Sequence, residues 1–201
     1  MRRCLAAALT IALAACGDDG PAADTRSVAI RAWGCALTDE VATGVVVGHD
    51  LVLTVGHVLR RAERVSVDGR EGAVVAVDRR LDAALIAVPT TASAVAMGVD
   101  VNVGPATIEG SPVFVRQLVS ADVEEPRDAT RYVRQALIVE AESSRGDSGS
   151  PVVALDGSLL GMVFASSTRD PGVTYAVSAV ELAPFVASAS PTDEPMPLSC
   201  I

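Results

Sequence analysis

Between residues 28 and 88 the apolar positions come in short runs, separated by glycine, aspartate or paired arginines rather than spread at helical spacing. The run "ATGVVVGHDLVLTVGHVL" reads as a strand, a tight turn at Gly48 to Asp50, a second strand and a short helical turn beginning near His57. "RVSVDGREGAVVAVD" reads as a hairpin folded about Asp68 and Gly69, and "AALIAV" as another buried strand. The stretch from Pro89 to Gly104 lacks such runs and separates two halves. Beyond it, "SPVFVRQLVS", "RYVRQALIVEAE", "SPVVAL", "GSLLGMVFAS" and "GVTYAVS" are strand-like, and only Val180 to Ala189 looks helical. Many short strands without alternating helices predict an all-β antiparallel sandwich or barrel, and two halves of similar make-up predict two barrels sharing one interface.

Composition sharpens this picture. Half of the 201 residues are hydrophobic but only 3% are aromatic, so the core is to be built from β-branched and small residues. The formal charge is −9 and every basic residue is arginine. An acidic chain of this kind lacks the basic face that phosphate binding needs, so nucleic acid is excluded as a partner class.

The first residues carry a different message. "MRRCLAAALTIALAAC" opens on Arg2 and Arg3, continues through an apolar run and finishes on small residues, the pattern of a secretory signal. Its ending, Leu13 to Cys16, resembles a bacterial lipobox, which implies removal of residues 1–15 and lipidation of Cys16. Residues 16–27 then form a lipidated cysteine and an acidic, proline-containing tether, so a membrane is expected as a partner through the lipid. The implied localisation is extracytoplasmic, facing the periplasm or on the outer membrane. Of four cysteines, Cys35 and Cys200 remain, one near each end of the mature domain. In an oxidising compartment they are either paired or two free thiols, and pairing would stabilise by about 4 to 5 kcal/mol in the chain-entropy model.

Candidate chemistry is sparse, which makes it readable. There are two histidines. His49 sits in a "GHD" turn, where a solvated structural role fits, whereas His57 follows a strand in "LTVGHV", and histidine is the residue type suited to act as a base near neutral pH. Asp82 stands at the entrance of a strand in "RRLDAALIAV", and "RGDSGSPVV" places Ser148 on a glycine-flanked turn. Alone, each has an ordinary structural explanation as core histidine, cap or turn residue. Together they supply a hydroxyl, a base to take its proton and a carboxylate to orient that base. No cofactor is implied, and no metal, because the histidines and carboxylates lack ligand spacing.

These motifs resemble those of the trypsin-like serine protease family, in its chain order of His, Asp, Ser. "LTVGHV", "LDAALIAV" and "GDSGSP" resemble the three catalytic motifs, while "GMVFAS" and "PGVTYAV" resemble the strands that line the specificity pocket. The likeness spans about residues 28–187 and implies a chymotrypsin-like double barrel of two six-stranded antiparallel β-barrels, approximately 28–95 and 102–180. A short C-terminal helix and a tail, 188–201, would follow. It implies catalysis by His57, Asp82 and Ser148, an oxyanion hole from the N–H groups of Gly146 and Ser148, and a protein or peptide as substrate. Ala165, Ser166 and Gly172 would line the specificity pocket. Glu142 either reaches the pocket base or faces solvent beside Glu140. Bacterial envelope members of the family carry one cystine between the domain's ends, which favours Cys35 pairing with Cys200.

Two departures stand out. Ser150 replaces the usual second glycine of the nucleophile loop, a small change expected to be tolerated. No Ile-Val-Gly-Gly start precedes the first barrel, so Asp147 cannot be neutralised by a freshly cut N-terminus and the loop must be ordered another way without zymogen cleavage. The tail, 188–201, is too short for a regulatory partner domain, and a monomer is expected. The expectation is a lipid-anchored serine endopeptidase. A protease-like binding or scaffold lipoprotein without turnover, and an esterase on the same machinery, are the alternatives.

Overall fold

Short strands of β-branched residues bury one face each, and a sheet of them can hide its edges by closing on itself. The computed structural model, which describes residues 27–101, 103–124 and 129–200, does this twice. Strands β1 (Ser27–Gly34), β2 (Glu40–Gly48), β3 (Leu51–Val55), β4 (Ala62–Val67), β5 (Arg70–Asp78) and β6 (Ala83–Ala87) close in the order β1-β2-β3-β6-β5-β4. Strands β7 (Gly104–Ile108), β8 (Ser111–Glu124), β9 (Arg131–Glu140), β10 (Pro151–Ala154), β11 (Leu159–Ser166) and β12 (Val173–Ser178) close as β10-β11-β12-β9-β8-β7. Every pairing is antiparallel. The double barrel expected from the sequence is therefore present. Residues 1–26, which hold the signal, Cys16 and the tether up to its last residue, lie outside the described residues, and Ser27 belongs to β1 rather than to the tether.

Turn chemistry fixes the registers. Asp68 and Gly69 both have positive φ, 47° and 77°, as a two-residue hairpin loop needs in order to match the strand twist. The Asp68 carboxylate also accepts from the Ala29 N–H at 2.8 Å, tying this hairpin to β1. Strand β7 has no counterpart in the apolar pattern, because "GPATI" begins with Gly104 and Pro105 and reads as punctuation. Neighbours supply its order: it pairs with β8 and β10 and so closes the second barrel.

The two barrels are joined by more than their linker. Val46, Val52, Leu53, Leu85 and Ile86 are fully buried in the first barrel, and Leu159, Met162 and Val177 of the second pack into the same cluster. Val115, Leu137, Val139 and Val152 form a separate core inside the second barrel. The connecting stretch hydrogen-bonds to both barrels: Val95 N–H to the Val46 carbonyl at 2.9 Å and Leu159 N–H to the Ala96 carbonyl at 2.8 Å.

Helix α1 spans Ala179–Ala187, starting one residue earlier and ending two earlier than its pattern predicts. Ser178 caps it by accepting from the Val180 N–H at 3.3 Å. The chain then returns to the first barrel, where the Met196 N–H donates to the Val74 carbonyl at 2.7 Å and Leu198 packs against the core. Cys35 and Cys200 form the disulfide that anchors this return, with their Cα atoms 5.2 Å apart. None of the helices among the described residues is long and apolar enough to cross a membrane.

Because the disulfide spans 165 positions, the Cys35→Ser, Cys200→Ser variant is expected to lose about 2 to 5 kcal/mol of unfolding free energy. Denaturant unfolding with and without reductant measures this; equal stability would show that the tail's hydrogen bond and apolar contact suffice.

Candidate functional site

Two strand ends set up the first part of the site. β3 is wholly buried and leads directly into a 3-10 turn, Gly56–Leu59, that carries His57. β3 pairs with β6 so that Val55 faces Ala83, which brings the residue leaving one strand beside the residue entering the other. The Gly56 N–H donates to the Asp82 carbonyl at 2.8 Å. The Asp82 carboxylate then receives two bonds from His57: its Oδ1 accepts from the backbone N–H at 2.8 Å, and its Oδ2 lies 2.7 Å from Nδ1. A carboxylate gripping both the main chain and the ring of one histidine fixes the ring's orientation and makes Nδ1 the protonated nitrogen. Gly56 tolerates a Cβ, whose nearest neighbours would stand at 3.4 Å. His49, by contrast, is exposed and paired with its neighbour Asp50.

Asp82 is buried and adopts φ +54°, a left-handed conformation uncommon for a residue with a side chain. Basic groups surround it. Arg60 Nη2 lies 3.6 Å from its Oδ1. The buried Arg134 of β9 donates to the carbonyl of the preceding Leu81 at 3.1 Å and stacks on Phe164, 5.0 Å from the ring centroid. Burial lowers the pKa of the Arg134 guanidinium and the Asp82 charge opposes that shift. Its Nε is buried without a partner among the described residues. Arg80 donates to Glu181 of α1 at 3.1 Å, and Glu181 also accepts from the Gln135 N–H at 2.8 Å. The turn that carries Asp82 is therefore held by the second barrel and its helix as well as by its own strand.

The remaining pieces lie in the loop between β9 and β10. Gly146 and Gly149 have φ of +107° and +92°. Gly149 is obligatory, because a Cβ there would overlap the Thr43 carbonyl oxygen. The Ser148 carbonyl accepts from the Thr43 N–H of β2 at 2.8 Å, and the Gly149 N–H donates to the Val163 carbonyl at 2.7 Å. Asp147 accepts from both the N–H and the hydroxyl of Ser144, at 2.7 and 3.2 Å, so its carboxylate is satisfied within the loop. Among the described residues, the N–H groups of Gly146 and Ser148 have no protein acceptor, and no hydrogen bond joins the Ser148 hydroxyl to the imidazole.

A cleft of about 570 Å³ between the barrels is lined by His57, Asp82, Arg60, Arg134, Phe164 and Ala165. Ser148 is half-buried and lines neither this cleft nor a second cavity of about 270 Å³. That second cavity holds Glu142 with Glu109, Glu140 and Asp147, so Glu142 is set apart from Ala165. Ser166 and Gly172 are exposed and line neither cavity, although the Gly172 carbonyl accepts from the Ala141 N–H at 3.1 Å. Thr43, Arg60, Glu109, Arg134 and Phe164 are site residues that pattern reading passed over. Only Arg134 leaves a sequence signal, as a charged residue on the inward parity that it shares with Ala136.

Comparison with known proteins agrees with this fold. The sequence pattern of the trypsin-like peptidase domain matches residues 42–162. Two curated Mycobacterium tuberculosis proteins, Serine protease MT3772 and Serine protease Rv3671c, are 30% identical to this chain over 161 residues. The match covers 70% of this chain and 40% of theirs, so the chain spans well under half their length. The crystal structure of the active form of the Rv3671c protease superimposes with a TM-score of 0.78 at 25% identity, covering 89% of this chain and 86% of that one. The HtrA-type protease AlgW with tripeptide shares the fold at a TM-score of 0.64 and 19% identity, over 83% of this chain and 60% of that one. Sequence pattern, relatives and double barrel converge, and the chain belongs to the trypsin-like serine protease family.

Proposed function

We propose that this chain is a serine endopeptidase tethered to the bacterial envelope through Cys16. The observation that carries the reading is the double grip of Asp82 on His57, which leaves Nε2 as the free basic nitrogen. In this mechanism Nε2 takes the proton of Ser148 as its Oγ attacks the scissile carbonyl carbon. The tetrahedral oxygen accepts from the N–H groups of Gly146 and Ser148, whose lack of protein acceptors supports that role. The imidazolium then returns the proton to the leaving amine, and water releases the acyl group from Ser148 by the same steps in reverse.

The surroundings of Asp82 suit this cycle. An imidazolium forms transiently, and the carboxylate that faces it has the Arg60 guanidinium 3.6 Å from its Oδ1. Ser144 supplies the bonds to Asp147 that a freshly cut N-terminus supplies in digestive relatives, which supports activity without zymogen cleavage.

The test is covalent labelling of residues 17–201 with a fluorophosphonate probe. Wild type is expected to label, and Ser148→Ala and His57→Ala to lose the signal; a well-folded wild type that stays unlabelled would favour the binding-protein alternative. Asp82→Asn is expected to keep the fold and lower kcat by about 10⁴-fold, since the wrong tautomer then faces the serine. Because Glu142 is exposed and apart from the cleft, Glu142→Ala is expected to leave the ratio of cleavage after Arg to cleavage after Leu unchanged. A collapse of that ratio in peptide profiling would put the carboxylate in the specificity pocket.

A further inference from the structure

Glu109 occupies a conformation that its residue type does not favour. It is the first residue of the two-residue turn joining β7 to β8, with φ +49°, and Gly110 follows at +78°. Such turns prefer Asn, Asp or Gly at this position, so a glutamate there stands against its local preference. Its carboxylate reaches out of its own hairpin. Oε1 accepts from the hydroxyl of Ser150 at 3.0 Å and lies 3.3 Å from Thr43 Oγ1. Thr43 Oγ1 also lies 3.0 Å from the Gly146 carbonyl oxygen.

We propose that Glu109 is a positioning residue for the nucleophile loop, holding its C-terminal end through Ser150, while Thr43, whose one hydroxyl proton goes to the nearer Gly146 carbonyl, holds the other end. The inference rests on the protease reading above. Ser150 is fully buried, and Glu109 is the acceptor of its side chain. A buried hydroxyl without that acceptor is destabilised, which gives the departure from the family's usual glycine a physical partner. Thr43 brings three parts together: its N–H holds the Ser148 carbonyl, its hydroxyl bonds the Gly146 carbonyl, and its own carbonyl accepts from the buried Thr54 at 2.7 Å. The Ser150 N–H donates to the Asp147 carbonyl at 3.0 Å, and that carbonyl shares its peptide plane with the Ser148 N–H, one of the proposed oxyanion donors. Glu109 touches neither substrate nor reacting atoms; it acts through Ser150.

The experiment compares wild type, Glu109→Gln, Glu109→Ala and Ser150→Gly as residues 17–201, each checked by thermal melting. Hydrogen exchange of residues 143–151 reads the hold on the loop, and fluorophosphonate labelling and peptide kinetics read its consequence. Glu109→Ala and Ser150→Gly are expected to speed exchange in this segment. They are expected to slow labelling and kcat by roughly tenfold to a hundredfold with KM little changed, short of the about 10²- to 10³-fold that loss of a whole oxyanion donor costs. Glu109→Gln keeps an acceptor oxygen and is expected to restore both readouts to within about threefold of wild type, as the loss of charge alone weakens such a bond modestly. Unchanged exchange and labelling in both Glu109→Ala and Ser150→Gly would overturn the proposal. If Glu109→Ala does not fold, the Ser150→Gly and Glu109→Gln results decide by the same criteria. A folded wild type that never labels would overturn the protease reading instead, while exchange in the variants still decides whether Glu109 holds the loop.

Discussion

The hydrogen bond from the Thr43 N–H to the Ser148 carbonyl crosses from β2 of one barrel to the loop of the other. Gly149 lies so close to the Thr43 carbonyl that no side chain fits between them. Each barrel is closed and has little freedom to deform, so the spacing across this seam is set by a few such contacts and not by the strands themselves. The proposed mechanism needs the loop to present a hydroxyl to a histidine on the opposite barrel, and this contact anchors the loop there. Arg134 anchors the reciprocal side, reaching from β9 to the Leu81 carbonyl beside Asp82.

The charges around Asp82 follow from its burial. A carboxylate out of water needs donors, and here the ring and backbone of His57 provide two while Arg60 stands close to the same group. Arg134 is itself buried and is stabilised by its carbonyl bond and by the face of Phe164. Removing one member of such a cluster leaves another charge uncompensated, so the cluster behaves as a unit. The covalent and hydrogen-bonded return of the tail to the first barrel works in the same direction, because it limits how far the barrels can separate.

Much of this was legible in order along the chain. Alternation and turn residues located ten of the twelve strands, all but β1 and β7, and the hairpin about Asp68 and Gly69 folds there because those residues accept positive φ. His57, Asp82 and Ser148 stand out as candidates because each sits where a strand ends or a glycine turn begins and because their motifs together resemble those of the family. β7 was not readable, since a five-residue segment opening with glycine and proline becomes a strand only when its neighbours supply both edges.

What the sequence by itself determined is the set of short strands, the identity of three candidate reactive groups and two cysteines free to pair. These are consequences of local chemistry, of φ preferences and periodicity that need no distant partner. Only the tertiary structure decided that Thr43 meets Ser148, that Glu109 meets Ser150 and that Glu142 is set apart from the main cleft. Those contacts join residues 41 to 105 positions apart. Their existence depends on barrel closure and on the register across the seam, which no local pattern records.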